Sequence, residues 1–175
     1  MSLTLNMNKY LLTIPLFFVV VYFLVPKNKP ITPPPVIINT DAVKAAEFLG
    51  EKGQSVKIEN DQLIIDTADF ETNKVKFFNT TLTDGKIIYF LVLKDKDGNF
   101  RAAANANQQC AAYGKGYRQV GEELECLTCN KKYPITDFAI AKPDCNPFPI
   151  NSKLPIINDQ IIISLSELAQ IANLF

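Results

Sequence analysis

The stretch KIIYFLVLKDKDGNFRAA, residues 86–103, gives the clearest indication of the fold class. Two apolar runs flank the Asp97-Gly98 dipeptide, which favours the tight turn of a β-hairpin. The first run is rich in Ile, Val, Phe and Tyr, residues that are favoured in strands. The stretch therefore predicts two antiparallel strands joined by a short turn.

Further β-prone runs lie on both sides of this hairpin, and Asn, Asp or Gly bounds most of them. They are SVKIE, QLIIDT, KVKFFNTTL and QIIIS. Short strands at such close spacing indicate a small antiparallel β-domain and not alternating strands and helices. We therefore predict a mainly β fold.

Two short helices are predicted at the ends of this domain. Residues 41–53, DAVKAAEFLGEKG, follow Thr40 as a candidate N-cap and end near Gly50 or Gly53. The C-terminal run LSELAQIANLF follows Ser164, which forms a capping box with Glu167. We assign residues 40–175 to one domain.

Composition excludes several classes of function. The 18 basic and 18 acidic side chains cancel, and no basic run is present, so we expect no nucleic-acid binding. The chain has no His, which excludes Ser-His-Asp and Cys-His catalysis and histidine-ligated metals. No glycine-rich phosphate loop occurs. Any chemistry must therefore rest on Cys, carboxylates or a bound cofactor. Together with the cysteines described below, this leads us to expect an electron carrier or metal-binding protein and not an enzyme.

The N-terminal segment has the character of a membrane anchor. Residues 11–25, LLTIPLFFVVVYFLV, carry no charge and, with their neighbours, approach the length needed to span a bilayer. We predict an anchor over residues 1–26 that places the domain on the extracytoplasmic side. A cleaved signal peptide and a helix of the domain core are the alternatives. The proline-rich residues 27–39 predict a semi-rigid linker.

Four cysteines lie close together in a segment that is poor in long apolar runs, residues 106–149. Their spacing is C-x15-C-x2-C-x15-C, and they are Cys110, Cys126, Cys129 and Cys145. The central CxxC can present two thiolates to one ion from a tight turn, and the outer cysteines would complete the ligand set. One zinc or iron ion, or one iron–sulfur cluster, would use all four.

Two other arrangements of the cysteines stay open at this point. Two structural disulfides suit an exported domain and an even cysteine count. A redox-active Cys126-Cys129 pair would make the chain a thiol oxidoreductase, although that chemistry is typical of a βαβ context.

The runs RAAANANQQC, KGYRQVGEELECLTCNKKYPI and DCNPFPI resemble a family of bacterial and archaeal membrane-associated iron–sulfur-containing proteins. Genes of that family often lie beside, or are fused to, those of iron permeases. The resemblance covers roughly residues 84–150. It implies an iron–sulfur centre and a membrane-protein redox or permease partner.

The resemblance assigns ligand positions residue by residue. Cys110 matches the second cysteine of the family's first pair, Cys126 and Cys129 match its second pair, and Cys145 matches the cysteine of Cys-Asn-Pro. Three positions depart from the family pattern. They are Asn107 in place of a cysteine, Asn105 in place of Asp, and Asn130 in place of Gly.

A more distant resemblance is to the Rieske fold. The order of Gly121-Glu122, the Cys126 to Cys129 loop, Tyr133-Pro134-Ile135 and a closing strand is similar. It implies a small antiparallel β-domain that carries a metal-binding loop subdomain.

These observations lead to one functional hypothesis and one alternative. The hypothesis is a membrane-anchored extracytoplasmic protein that transfers electrons or handles metal in an iron-uptake or redox system. The alternative is an accessory subunit of a membrane complex, with a structural zinc or two disulfides. Lys131, Lys132 and Arg118 would form an ordinary solvated face or, alternatively, offset thiolate charge. Tyr113, Tyr117 and Tyr133 would pack in the core or at its rim or, alternatively, shield the site.

Overall fold

The hairpin of residues 86–103 occupies the centre of the largest sheet in the computed structural model, which describes residues 47–140 and 144–175. The sheet has five strands, and all its neighbours are antiparallel except the first pair. In order across the sheet they are β1 (Gln54–Ser55), β4 (Val75–Thr81), β5 (Ile87–Lys94), β6 (Phe100–Ala104) and β10 (Pro149–Asn151). The predicted hairpin is confirmed.

A four-stranded antiparallel sheet forms a second layer. Its strands in order are β11 (Ile156–Ile157), β12 (Gln160–Ser164), β3 (Gln62–Asp66) and β2 (Ile58–Glu59). Helix α1 (Leu165–Ala169) follows β12, and a 3-10 turn (Ala172–Leu174) ends the chain. The Ser164–Glu167 capping box is confirmed, but the α-helix is shorter than the predicted run.

A three-stranded antiparallel sheet lies within the cysteine-rich segment. Its strands are β7 (Tyr117–Val120), β8 (Glu123–Cys126) and β9 (Lys132–Pro134). The sequence predicted only loops here, because strands of three or four residues are too short to show a clear pattern. Gly121, at a φ of 63°, takes the left-handed conformation that the β7–β8 turn requires.

Strand β5 is buried on both faces, which explains its uninterrupted apolar sequence. Ile88, Phe90 and Val92 belong to the larger core, which includes residues of the four-stranded sheet and α1. Leu91 and Leu93 belong to a smaller core that includes residues of β7 and β8. The three-stranded sheet is therefore fixed to the rest of the domain through β5.

The structure contradicts the predicted end of the N-terminal helix. Residues 41–46 lie outside the described part of the chain, and residues 47–53 contain no helix. Here the Phe48 ring stacks on Tyr89 with centroids 3.9 Å apart, and the Leu49 N–H donates to the Gly114 carbonyl at 2.7 Å. These contacts hold the segment against the domain in a non-helical form, so the assignment of Gly50 or Gly53 as its end is wrong.

The predicted anchor of residues 1–26 and the linker of residues 27–39 lie outside the described residues. Across residues 47–140 and 144–175, no helix combines the length and apolar character needed to cross a membrane. The mainly β, antiparallel fold is confirmed, while the Rieske-like arrangement stays a prediction.

Candidate metal centre

The four cysteines come from three loops that meet beside the three-stranded sheet. Cys110 follows β6 and precedes a 3-10 turn (Ala111–Tyr113). Cys126 ends β8, and Cys129 lies in the turn that leads to β9. Cys145 lies in the loop before β10. Residues that are far apart in sequence are thereby brought to one place.

Three of the cysteine sulfur atoms form a tight triangle. The Sγ atoms of Cys110, Cys129 and Cys145 all lie within 4.8 Å of one another. Those of Cys110 and Cys145 are 3.8 Å apart, far beyond the roughly 2.05 Å of a disulfide. All four cysteines are free thiols. The Cys126 thiol lies outside the mutual triangle but interacts with those of Cys110 and Cys129.

The four cysteines differ in solvent exposure across the site. Cys126 is only 1% exposed and belongs to the smaller core, and Cys145 is 4% exposed. Cys110 is partly buried, whereas Cys129 is exposed. One sulfur of the triangle therefore faces solvent while the opposite side of the site is closed by apolar packing.

The Cys126 to Cys129 turn is a knuckle held by backbone hydrogen bonds. The Asn130 N–H donates to the Cys126 carbonyl at 2.8 Å, and the Cys126 N–H donates to the Lys131 carbonyl at 2.9 Å. Asn130 has a φ of 59°, in the left-handed region that Gly, and less often Asn, adopts. Asn130 thus preserves the turn at the position where the resembled family has Gly.

Asn107 joins the loops of Cys110 and Cys145. Its Oδ1 accepts from the backbone N–H groups of Gln109 (2.9 Å) and Cys110 (3.0 Å). Its Nδ2 donates to the Tyr117 hydroxyl at 2.6 Å and to the Cys145 carbonyl at 3.4 Å. The side chain is 2% exposed, and both polar atoms are fully engaged. It fixes the backbone on which two cysteines are mounted.

Asn105 makes a second link, between β6 and β7. Its Oδ1 accepts from the Tyr117 N–H at 2.8 Å, and its Nδ2 donates to the Glu51 carbonyl at 3.1 Å. Gly116 makes this approach possible, because a Cβ there would lie 2.5 Å from Asn105 Oδ1. The sequence marked Asn105 and Asn107 only as departures from a pattern and did not indicate that both organise the site.

Burial and neighbouring thiols shift the pKa values of the cysteines in different directions. Burial raises the pKa of Cys110 to about 12, with further contributions from Cys126 and Cys145. Burial also raises the pKa of Cys145. At Cys129 burial also acts to raise the pKa. Hydrogen bonds from the Lys131 backbone, and then from the other thiols, outweigh that effect, so the pKa of Cys129 is lowered. Cys129 is therefore the thiol that ionises most readily of these three.

The three cationic side chains near the site each have a carboxylate partner. Lys131 Nζ lies 2.7 Å from Asp144 Oδ1, and Arg118 pairs with the buried Glu125 at 3.0 Å. Lys132 lies 3.8 Å from Glu123. Asp144 raises the pKa of Lys131, and Cys145 and Cys129 add to that effect. Lys131 is therefore the cation whose charge acts most directly on the cysteines.

The three candidate tyrosines differ in position. Tyr117 is fully buried, and its hydroxyl donates to the Cys145 carbonyl. The buried Tyr133 hydroxyl has no hydrogen-bond partner within the described residues, and burial raises its pKa, with Asp144 and Cys145 contributing. Tyr113 is 60% exposed. Shielding of the site therefore falls to Tyr117 and Tyr133.

The donor set suits a thiophilic metal. Thiolates are the preferred ligands of zinc, of iron in iron–sulfur proteins, and of other soft ions. Three sulfurs already converge, and a fourth lies beside two of them. The residues present therefore fit a thiolate-bound metal centre.

Comparison with known proteins identifies a family. Residues 70–175 match the model of a family described as membrane iron-sulfur containing protein FtrD-like. No curated protein and no solved structure matches the chain. The matched range spans all four cysteines and the β-strands from β4 onward.

Proposed function

The chain belongs to the family of FtrD-like membrane iron-sulfur containing proteins, and we propose that it is a membrane-tethered electron-transfer protein of an iron-uptake or redox system. In this arrangement the β-domain would lie on the extracytoplasmic side, at the end of a proline-rich linker. Cys110, Cys126, Cys129 and Cys145 are its metal ligands. The single observation that supports it most is the convergence of three sulfurs within 4.8 Å at a site with one exposed edge.

The exposed edge gives the site a route for electrons. A thiolate-bound iron supplies one-electron redox chemistry, tuned by hydrogen bonds to the sulfurs and by solvent access. Cys129 is the exposed member of the triangle, and the Lys131 backbone N–H donates to it. Cys129 is therefore the point at which a redox protein or permease in the same membrane would exchange electrons.

Hydrogen bonds and core packing hold the backbone around the site. Asn107 and Tyr117 hold the Cys110 and Cys145 loops through hydrogen bonds that do not use the sulfurs. Cys126 is held by β8 and by the smaller core. A rigid ligand frame keeps the structural change on electron transfer small, which suits a carrier.

Voltammetry of the full-length protein, purified without oxygen in detergent, tests this proposal. We expect a coloured protein that contains iron and shows a reversible one-electron wave. The wave should be lost in Cys129→Ser and kept in Gln108→Ala, a substitution at an exposed neighbour of the site. An iron-containing protein with no redox response would contradict electron transfer.

A structural zinc is the second candidate function, in an accessory subunit of a membrane complex. The observation that favours it is that the Cys129 and Cys145 loops are linked by an exposed polar contact, the Lys131–Asp144 ion pair, which a metal staple would reinforce. Zinc in place of iron in the protein purified from its native host would support this candidate.

A further inference from the structure

Two hydroxyl oxygens beside the cysteines are buried without a hydrogen-bond partner among the described residues. One is Thr128 Oγ1, in the turn between Cys126 and Cys129, and the other is the hydroxyl of Tyr133 on β9. A buried hydroxyl without a partner costs free energy, and folded proteins pair the large majority of such groups. Each of these two hydroxyls is therefore a donor that lacks an acceptor while the cysteines are thiols.

The Tyr133 hydroxyl lies close to the Cys145 sulfur. Burial and Asp144 raise the pKa of Tyr133 most, and the Cys145 and Cys129 thiols add to that effect. The Cys145 thiol donates its own proton to Gln109 Oε1 at 3.0 Å, and a thiol sulfur is only a weak acceptor. Metal binding removes that proton, because the ligand is the thiolate. The sulfur then becomes a charged acceptor beside the Tyr133 hydroxyl.

The Thr128 side chain lines a cavity that two of the cysteines share. Cys110, Cys126, Asn107 and Tyr117 are also part of the cavity wall. Asn107 and Tyr117 are already joined by a hydrogen bond at 2.6 Å, so they leave the Thr128 hydroxyl unpaired. When Cys110 and Cys126 bind a metal as thiolates, this wall gains charged acceptors for that hydroxyl.

We propose that the Tyr133 and Thr128 hydroxyls donate hydrogen bonds to the sulfur atoms of the loaded centre. Tyr133 serves Cys145, and Thr128 serves the side of the centre at the cavity. The inference rests on the proposed function in one respect, that these cysteines bind a metal. A donor to a thiolate stabilises the more negative, reduced state of an iron centre. The two hydroxyls are therefore positioning groups that strengthen metal binding and raise the reduction potential.

Tyr133→Phe and Thr128→Val separate this role from a structural one. Because the metal-free protein leaves both hydroxyls unpaired, the urea midpoint of each metal-free variant should equal or exceed that of the parent protein. Co²⁺ binding to the full-length protein, reduced in detergent, should weaken by about 10-fold in each variant. Thr80→Val is the matched control, since this buried, unpaired hydroxyl lies on β4, two residues from Phe78 of the larger core. It should leave Co²⁺ affinity unchanged.

Voltammetry of the iron-loaded protein gives a second readout that a purely structural role would not change. Tyr133→Phe and Thr128→Val should each shift the reduction potential to a lower value, whereas Thr80→Val should not. Unchanged Co²⁺ affinity and unchanged potential in both site variants would overturn the inference and leave electron transfer standing. Weakened Co²⁺ binding in a protein that carries zinc and no iron would support the inference and overturn the redox function. Failure of the parent protein to bind any metal, cobalt included, would overturn both.

Discussion

The Asn107 carboxamide donates to the Tyr117 hydroxyl over 2.6 Å, and the same hydroxyl donates to the Cys145 carbonyl. Both side chains are buried, and burial raises the pKa of Tyr117, which keeps the hydroxyl protonated. These two hydrogen bonds link the loop that carries Cys110 to the loop that carries Cys145. The ligand geometry therefore depends on two residues that are not themselves ligands.

Removal of the Asn107 carboxamide should loosen the site before any metal is bound. Asn107→Ala leaves the N–H groups of Gln109 and Cys110 without their acceptor, and we expect a loss of about 1–3 kcal/mol in the free energy of unfolding. Urea denaturation of the metal-free protein measures it, with Gln108→Ala as the matched control. Equal stability of the two variants would show that the network is not needed.

The Tyr117 hydroxyl should act together with Asn107. Tyr117→Phe keeps the ring in the smaller core and removes the hydroxyl that accepts from Asn107 and donates to the Cys145 carbonyl. We expect it to cost about 1–2 kcal/mol, and the double variant with Asn107→Ala to cost less than the sum of the two single changes. A double-mutant cycle measures that coupling. Tyr113→Phe, at an exposed ring, is the control, and strictly additive effects would argue against a shared network.

Asn130 should tolerate Gly but not Ala. Its φ of 59° is easily adopted by Gly, whereas Ala pays about 1–2 kcal/mol in the left-handed region. We expect Asn130→Ala to lower both the melting temperature and Co²⁺ affinity, while Asn130→Gly stays close to the parent protein. If the two variants behaved alike, the knuckle would not depend on this conformation.

The cysteines should react with an alkylating reagent in order of exposure and ionisation. Cys129 is exposed and its pKa is lowered, whereas burial raises the pKa of Cys110 and Cys145. Because the thiolate is the reactive species, Cys129 should be modified first in the metal-free protein. Peptide mapping after brief iodoacetamide treatment measures the order. Bound metal should protect all four, and early labelling of Cys126 would contradict the structure.

Asp95 should make the free energy of unfolding depend on pH under acidic conditions. It is buried, yet hydrogen bonds from the backbone of Asn99 and Asp97 and the ion pair with Arg101 at 2.8 Å lower its pKa. A lowered pKa contributes stability that is complete above the ordinary carboxyl pKa near 3.9 and is lost as pH falls through the folded-state value.

Asp95→Asn tests this contribution. It should cost about 3 kcal/mol at pH 7, because Arg101 loses its charged partner, and the difference from the parent should shrink as pH falls below about 4. Asp97→Asn, an exposed neighbour in the same turn, should have almost no effect. Chemical denaturation from pH 7 to pH 3 measures both, and a constant difference for Asp95→Asn would disprove the linkage.

The strands and the capped helix could be predicted because their determinants are local. The Asp97-Gly98 turn, the β5 run and the Ser164–Glu167 box each lie within a few residues. The clustering of the cysteines predicted one site, and the structure brings three of their sulfurs together. The ligand role of all four stays a prediction.

The supporting groups could not be predicted, because their partners are distant in sequence. Asn107 is 38 residues from Cys145, and Lys131 is 13 residues from Asp144. For the cations near the cysteines the sequence favoured a solvated face, with compensation of thiolate charge as the alternative, and the carboxylates that pair with them are brought there only by the fold. The β7–β9 sheet was missed for the same reason, since its short strands are stabilised by packing against β5.

X-ray absorption at the iron edge of the anaerobically purified, full-length protein tests the central claim most directly. Iron held by the thiolates of Cys110, Cys126, Cys129 and Cys145 predicts a first shell made of sulfur at about 2.3 Å. A first shell made mainly of oxygen or nitrogen would contradict it.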